Sequence, residues 1–485
     1  MNDSPGKPDA PPLPPDVLLR LREVVGPRGV VDAPADMAPY VVEERGLYRG
    51  AAALVLRPAS TPEVAELVRI CAAHGVAVVP QGGRTGLVGG GVPDETGRAV
   101  VLSLGRMNRV RAIDPFNDTI TVDAGCVLAD IQKAAAEAGR LFPLSLAAEG
   151  SCQIGGNLAT NAGGTNVLRY GNAREQVLGL EVVLADGRVW DGLRGLRKDN
   201  TGYDLRDLFV GSEGTLGVIT GAVLKLFPRP EMLHTALAAI RDPTAAIELL
   251  ARLRASTGGA VTAFELMSRL SIEMVLRHVP GTADPLARPY EQYLLIELSE
   301  PRAGMGFRAA LEDTLGGGAE DGLVLDAVLA ASVAQARQLW RLRETINEAQ
   351  KPEGGSIKHD VAVPVSRVPE FLERATAAVE AALPAVRIVA FGHVGDGNIH
   401  FNLSQPLSDN MAAERADFLA QWALINRLVH DIVVSMGGSI SAEHGIGRLK
   451  RDELAHYKAP VELDVMRRIK AALDPRGIMN PGKIL

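Results

Sequence analysis

At 485 residues the chain is too long for one hydrophobic core, so two or three domains are expected. Hydrophobic residues make up 47% of it, yet no apolar run approaches the ~20 residues that span a bilayer, which argues against a helical membrane protein. The formal charge of −7, from 51 basic and 58 acidic residues mixed along the chain, leaves no basic block and argues against a nucleic-acid partner.

The chain opens on MNDSPGKPDAPPLPPD, which is rich in proline and has neither the apolar stretch of a signal peptide nor the Arg-rich amphipathic pattern of a transit peptide. A flexible leader is expected there, within an N-terminal segment 1–49, and the protein is expected to be cytoplasmic. Cys71, Cys126 and Cys152 stand in unrelated contexts with no Cys-x-x-Cys pair, so neither a disulfide framework nor a zinc ribbon is expected.

From Ala51 the pattern is regular. AAALVLRP reads as a buried strand, Thr61-Pro62-Glu63 as a helix start, and Val64, Leu67, Val68 and Cys71 keep helical spacing up to His74-Gly75. VAVVP then makes a second strand, completing a β-α-β unit. Strands follow at 100–104 and 119–123, a helix at 127–138, a hairpin at Asp186-Gly187 and a long β-segment at 215–227. FPRPE at 227–231 reads as a boundary. Beyond it come strands near 262–266, 292–299, 323–328, 358–363, 387–393 and 399–404, and then helices at 409–435 and 461–473. The fold class predicted is α+β: a domain at 50–229, a second at 230–408 built on an antiparallel sheet, and a helical part at 409–485 returning to the first.

Two glycine-rich segments carry the first domain's chemistry. PQGGRTGLVGGGVP, residues 80–93, has 6 glycines in 14 residues and follows a strand directly, where backbone amides can close around phosphate oxygens. A flexible surface loop is the plainer alternative. The second segment, AEGSCQIGGNLATNAGGTNVLRYG at 148–171, mixes glycines with Ser151, Asn157, Thr160 and Asn161, which suits the edges of a flat polar ring system. Neither segment continues into Gly-Lys-Ser/Thr, and the first strand is not followed by Gly-x-Gly-x-x-Gly, so nucleoside-triphosphate loops and the ordinary dinucleotide fold are disfavoured.

These segments, with DNTGYDLRDLFVGSEGTLGVIT at 199–220 and NPGKIL at the end, closely resemble the flavin-binding domain of the vanillyl-alcohol oxidase and p-cresol methylhydroxylase superfamily. The resemblance covers nearly the whole chain from about residue 40. It implies bound FAD, with the pyrophosphate on Gly82, Gly83, Arg84, Thr85 and Gly86 and with Pro80 and Leu87 also at the cofactor. Further contacts are implied from Gly150, Ser151, Ile154, Gly155, Gly156, Asn157, Thr160, Asn161, Gly163 and Gly164, and from Glu213, Gly214, Gly217, Ile219 and Asn480. Many relatives attach the flavin through a histidine in the first glycine loop; this loop has none, so the FAD is expected to be noncovalent.

In FGHVGDGNIHFNL, residues 391–403, two imidazoles flank a Val-Gly-Asp-Gly-Asn turn. If 387–393 and 399–404 pair antiparallel, His393 and His400 end their arms, where facing Cβ atoms lie roughly 5 Å apart and can share a metal ion. Glu443 and His444, in GGSISAEHGIG, follow a short β-like segment and offer a further ligand, which would complete a zinc-like divalent site. Histidines in glycine-rich loops also serve simply as hydrogen-bonding residues. In LWRLRETINEAQ, Arg343 and Asn347 lie one helical turn apart, and Lys358 precedes a strand. Such cations grip a carboxylate, although Arg343 could equally pair with Glu344 or stay solvated.

The second domain resembles the FAD-dependent D-2-hydroxyacid dehydrogenases, most closely those acting on D-2-hydroxyglutarate. By that resemblance His393, His400 and Glu443 hold the metal, with zinc expected, Arg343, Lys358 and Asn402 bind the substrate, and His444 is both a substrate contact and the base. Asn347 is expected to contact the substrate too, with one departure: animal members carry a substrate-contacting threonine at its place, so the hold on the distal carboxylate is expected to differ.

The expected reaction is oxidation of a small D-2-hydroxy acid, D-2-hydroxyglutarate first, to the 2-oxo acid by hydride transfer to flavin N5. His444 would take the hydroxyl proton. Two cations besides the metal favour a diacid. The cysteines cannot hold an iron–sulfur cluster, so an external acceptor is expected, an electron-transfer flavoprotein or a quinone system. The oligomeric state is left open, with a homodimer as the candidate assembly. Three rivals stand beside this reading: a D-lactate dehydrogenase, a non-redox transferase resembling alkylglycerone-phosphate synthase, and a catalytically silent flavoprotein subunit.

Overall fold

The computed structural model describes residues 12–485 and divides the chain into two compact units. The first comprises residues up to Ala162, then Asn172–Pro228 and Glu443–Leu485; the second comprises Gly163–Gly171 and Arg229–Ala442.

The first unit opens on an element that the proline content hid. A helix spans Pro15–Val25 with proline in its first turn, and its four-residue spacing sets Val17, Leu21 and Val25 in the first unit's core, with Leu13 just ahead of them. The leader expected in MNDSPGKPDAPPLPPD meets this helix only at Pro15 and Asp16, where the i, i+4, i+8 apolar stripe orders the chain despite the prolines; residues 1–11 lie outside the described residues.

The β-α-β unit forms as expected. Strands Leu54–Leu56 and Val78–Gln81 lie parallel to either side of Val100–Ser103. The intervening helix Thr61–His74 starts on Ser60, whose side chain accepts from the amide of Glu63. It stops at Gly75, a left-handed cap (φ 65°) that returns its N–H to Cys71. A second, antiparallel sheet orders Val110–Asp114, Thr119–Asp123, Gly217–Lys225, Val177–Leu184 and Val189–Gly192. The long segment expected at 215–227 is therefore shorter, and Phe227–Pro228 pairs separately with Arg140–Leu141. Near the end of the chain, Val78 donates to Ile478 and Asn480 donates back to Val78, which fixes the C-terminal segment beside the strand feeding the first glycine loop.

The second unit is a seven-stranded antiparallel sheet, ordered Val324–Leu329, Met232–Ile240, Gln292–Glu300, Val261–Ser268, Arg387–Gly392, Asn398–Ser404 and Ser356–Ala362. Helices Pro243–Thr257, Phe307–Glu320, Val368–Ala382 and Trp422–Ser435 bury one face, against Phe264, Ile357, Val361, Ile399, Phe401 and Leu403. Helices Arg269–His278 and Val333–Glu344 cover part of the other, against Met267, Val389 and Phe391.

The helix expected at 409–435 is two helices, Met411–Ala420 and Trp422–Ser435, interrupted at Gln421. Both belong with the second unit, so the boundary drawn at 408/409 lies instead at 442/443: Ile425, Val429 and Val433 bury into the sheet's core.

Candidate active site

In the first unit the two glycine segments and the strand start at Gly217 wall a cleft of about 990 Å³, counted with its open mouth. Pro80, Gly82, Gly83, Arg84, Thr85 and Gly86 line it on one side, and Gly155, Gly156, Asn157 and Thr160 on another. Glu213, Gly214, Gly217 and Ile219 line it as well, and so does His444. The glycines are needed where the loops meet: a Cβ on Gly83 would lie 2.2 Å from the carbonyl oxygen of Ser151. Two of the lining residues, Arg84 (φ 63°) and Glu213 (φ 51°), hold left-handed backbone that side chains disfavour, strain that clusters at ligand sites.

Eight residues expected at the cofactor do not line this cleft: Leu87, Gly150, Ser151, Ile154, Asn161, Gly163, Gly164 and Asn480. Gly163 and Gly164 go with the second unit. Ile154 is fully buried in the first unit's core, and Asn480 supports the wall from behind, its Nδ2 donating to the carbonyls of Gly90 and Glu213. Lining residues that the sequence reading missed include Gln81, Leu104, Cys152 and Gln153. Among the described residues no donor reaches Gln81 Oε1, Gln153 Oε1 or Asn157 Oδ1, so three buried acceptors on residues lining this cleft suit a polar ligand such as FAD.

His444 owes its place to Glu213. The Glu213 carboxylate accepts the amides of Ile446 (2.7 Å) and Gly447 (2.8 Å), which clasps the residues just after His444-Gly445. Gly445 (φ 79°) leaves room for this, since a Cβ there would lie 2.8 Å from Glu213 Oε1. Burial pushes the Glu213 carboxyl above its usual range, against the pull of those two amides and of Lys450.

In the second unit, strand alternation gathers polar residues on one sheet face. Lys358 pairs with Asn402 and Asp360 with His400 across Ser356–Ala362 and Asn398–Ser404, while the alternate residues Ile357, Val361, Phe401 and Leu403 bury into the opposite core. His393 and His400 come together, with ring centroids 5.8 Å apart, but not as facing residues. The strand before the turn ends at Gly392, and the residue opposite His400 is Phe391. His393 sits one residue beyond Gly392, in the turn.

The feature absent from the sequence reading is Glu265. Its carboxylate is fully buried and accepts from His393 Nδ1 (2.6 Å) and from Arg343 Nε (2.7 Å). Burial raises its pKa, but the charges of His393 and Arg343 and their hydrogen bonds win and hold it at about 2. Arg343 is therefore neither solvated nor paired with Glu344 in this contact, and its guanidinium also stacks 4.9 Å from the Phe391 ring centre. The helical turn expected to join Arg343 and Asn347 is broken at Thr345, and Asn347 instead accepts from Lys358 Nζ at 3.3 Å. Asn402 donates to Gln350 (3.0 Å), a second residue the reading missed. A lone acid in the apolar strand VTAFELMS was the available signal for Glu265.

On the way back to the first unit, Ala442 donates to the carbonyl of Asp360 at 3.2 Å, and Glu443 follows one peptide bond later. Arg343, Lys358, Asn402, His393 and His400 thus belong to the second unit, and Glu443 and His444 to the first.

Comparison with known proteins agrees with both units. A family described as FAD linked oxidases, C-terminal domain, matches residues 229–484, and one described as FAD binding domain matches 52–192. A protein of Xanthomonas citri pv. viticola named D-2-hydroxyglutarate dehydrogenase is 39% identical over 469 residues, 96% of each chain. The Bos taurus protein named D-2-hydroxyglutarate dehydrogenase, mitochondrial, is 39% identical over 478 residues, 97% of this chain and 83% of that one. Among solved structures, p-cresol methylhydroxylase with substrate bound superposes with a TM-score of 0.74 at 17% identity, covering 97% of this chain and 96% of that one, a likeness of fold.

Proposed function

The chain belongs to the FAD-linked oxidase family as an FAD-dependent dehydrogenase, and on that premise we propose that it oxidises D-2-hydroxyglutarate to 2-oxoglutarate. The observation that carries the substrate choice is the polar sheet face of the second unit, where two imidazoles share a surface with Lys358 and with the Glu265-anchored Arg343. A hydroxy acid with a second carboxylate has use for both cations, and a monoacid does not.

FAD fits the first unit's cleft by the cradle its glycines form and by the three buried acceptors on its wall, and when bound it supplies the two-electron acceptor. In this reading the backbone of Gly82 to Gly86 holds the pyrophosphate, and the loop's lack of histidine leaves the flavin noncovalent. His393, His400 and Glu443 are the donors for a divalent ion, two imidazoles and a carboxylate that suit zinc, and such an ion acts on a hydroxyl as a Lewis acid. The fit of His393 is supported by its bond to Glu265. An ionised carboxylate only accepts, so Nδ1 carries a hydrogen, which leaves Nε2 as the nitrogen that an ion can take in place of any proton there. Arg343 and Lys358 hold the two carboxylates and orient Cα, Asn402 borders them, and His444 takes the hydroxyl proton through its ring. The reduced enzyme would pass its electrons to an electron-transfer flavoprotein or a quinone.

Anaerobic titration of the yellow enzyme tests this. D-2-Hydroxyglutarate should bleach the flavin, its L enantiomer should not, D-malate and D-lactate should do so at higher concentration, and a chelator should suppress the reaction. Bleaching by D-lactate at lower concentration than the diacid would replace the substrate, and bleaching indifferent to chelation would remove the ligand role of His393 and His400.

A further inference from the structure

We propose that Glu265 is a shared positioning residue, a single buried carboxylate that sets both the ring of His393 and the guanidinium of Arg343. It thereby ties the hold on a divalent ion to the hold on a substrate carboxylate. The inference rests on the ligand and substrate roles assigned to those two residues above.

Each oxygen of Glu265 serves a different element. Oε1 meets His393 in the turn after strand Arg387–Gly392, and Oε2 meets Arg343 in the last turn of helix Val333–Glu344. Glu265 itself sits on strand Val261–Ser268, whose Leu266 and Met267 pair with Gly392 and Phe391, so the carboxylate lies beside the end of the strand that delivers His393. Phe391 completes the arrangement, because its ring carries the Arg343 guanidinium on the residue opposite His400.

The chemistry of the two bonds is directional. Facing a carboxylate, His393 keeps hydrogen on Nδ1 and leaves Nε2 as the nitrogen a metal can take in place of any proton there, and the ring cannot rotate without losing its partner. The bond to Arg343 uses Nε and not the terminal nitrogens, whose pair suits a two-pronged grip on a carboxylate. A glutamine at 265 can accept from one of these donors, but its amide NH2 then faces the other. Both grips should therefore loosen together, although Glu265 need touch neither ligand.

The test uses the flavin-loaded enzyme with histidine labelled in 15N. In the chelator-treated wild type, long-range proton–nitrogen correlations should show His393 with hydrogen on Nδ1. Finding hydrogen on Nε2 alone overturns the proposal without any variant. In E265Q the zinc dissociation constant, read by competition with a chromophoric chelator, should rise about 10- to 100-fold, and KM for D-2-hydroxyglutarate should rise about tenfold or more with a smaller change in kcat. E265D, which keeps two accepting oxygens, should recover part of both. A Glu265→Gln protein with a lower Tm but unchanged zinc affinity and KM would make the carboxylate merely structural and sink the idea. The control H393A separates the two failures: if it leaves zinc binding untouched, the ligand reading itself is wrong and the tie falls with it, whereas weakened zinc binding there with none in E265Q condemns the tie alone.

Discussion

In the proposed reaction the roles divide between two side chains, one that would move a proton and one that would read the substrate's far end. His444 lines the cleft of the first unit, and a positioned general base contributes roughly 10²- to 10⁴-fold to rate. H444N should therefore lose kcat on that scale while flavin content, read from the visible spectrum, and zinc content stay unchanged; retained turnover would move the base elsewhere. Lys358 lies with Asn347 on the polar face of the second unit's sheet. In K358A, kcat/KM for D-2-hydroxyglutarate should fall about 10- to 100-fold, while that for D-lactate should stay within a few-fold, because only the diacid has a charge there to lose. Parallel loss for both acids would place Lys358 on the carboxylate they share, and the D-lactate reading would then regain ground.

Between elements, the first unit depends on two glycine segments approaching more closely than side chains allow. A methyl group at Gly83 would meet the Ser151 carbonyl oxygen at 2.2 Å and the Cα of Cys152 at 2.8 Å, backbone atoms with little freedom to yield. G83A should fold, judged by circular dichroism, yet purify with most of its flavin missing; a fully yellow G83A would show that the loops can separate without cost to the cofactor. This contact was half legible, since the glycines announced a cradle but not which other loop would press against it. The sheet face was readable for a simple reason. In NIHFNL every second residue is apolar, and in IKHDV only His359 interrupts that alternation, so Lys358, Asp360, His400 and Asn402 share the other face. The register was not readable, because it depends on where the strand ends, and Gly392 (φ 148°), where a Cβ would lie 2.6 Å from the Asn398 carbonyl, ends it one residue early. Glu265 escaped for another reason: its partners come from 78 and 128 residues away, and no local pattern encodes a contact of that span.

Over the molecule as a whole, buried acids held by several bases make the second unit's stability depend on pH. Among the described residues Glu353 shows this outside the candidate site. It is 5% exposed and is bound by Arg277 (2.9 Å), by His278 (2.5 Å) and by Arg387, linking helix Arg269–His278 to strand Arg387–Gly392. Burial raises its pKa, but the hydrogen bonds and charge of Arg387, together with the bonds from His278 and Arg277, outweigh that and hold it at about 2, against 4.5 when unhindered. A group depressed in the folded state stabilises fully above its unfolded pKa, and that stabilisation disappears as pH falls through the folded value. For Glu353 the window runs from about 4.5 down to about 2, with an upper bound on the order of 3 kcal/mol at neutral pH. E353Q keeps the shape and removes the charge, so its Tm should lie several degrees below wild type at pH 7. The gap should narrow as the buffer is taken below pH 4.5, because the wild type then loses the same charge by protonation. A gap that persists undiminished toward pH 2 would mean that Glu353 contributes through packing and neutral hydrogen bonds, not through its ionised form.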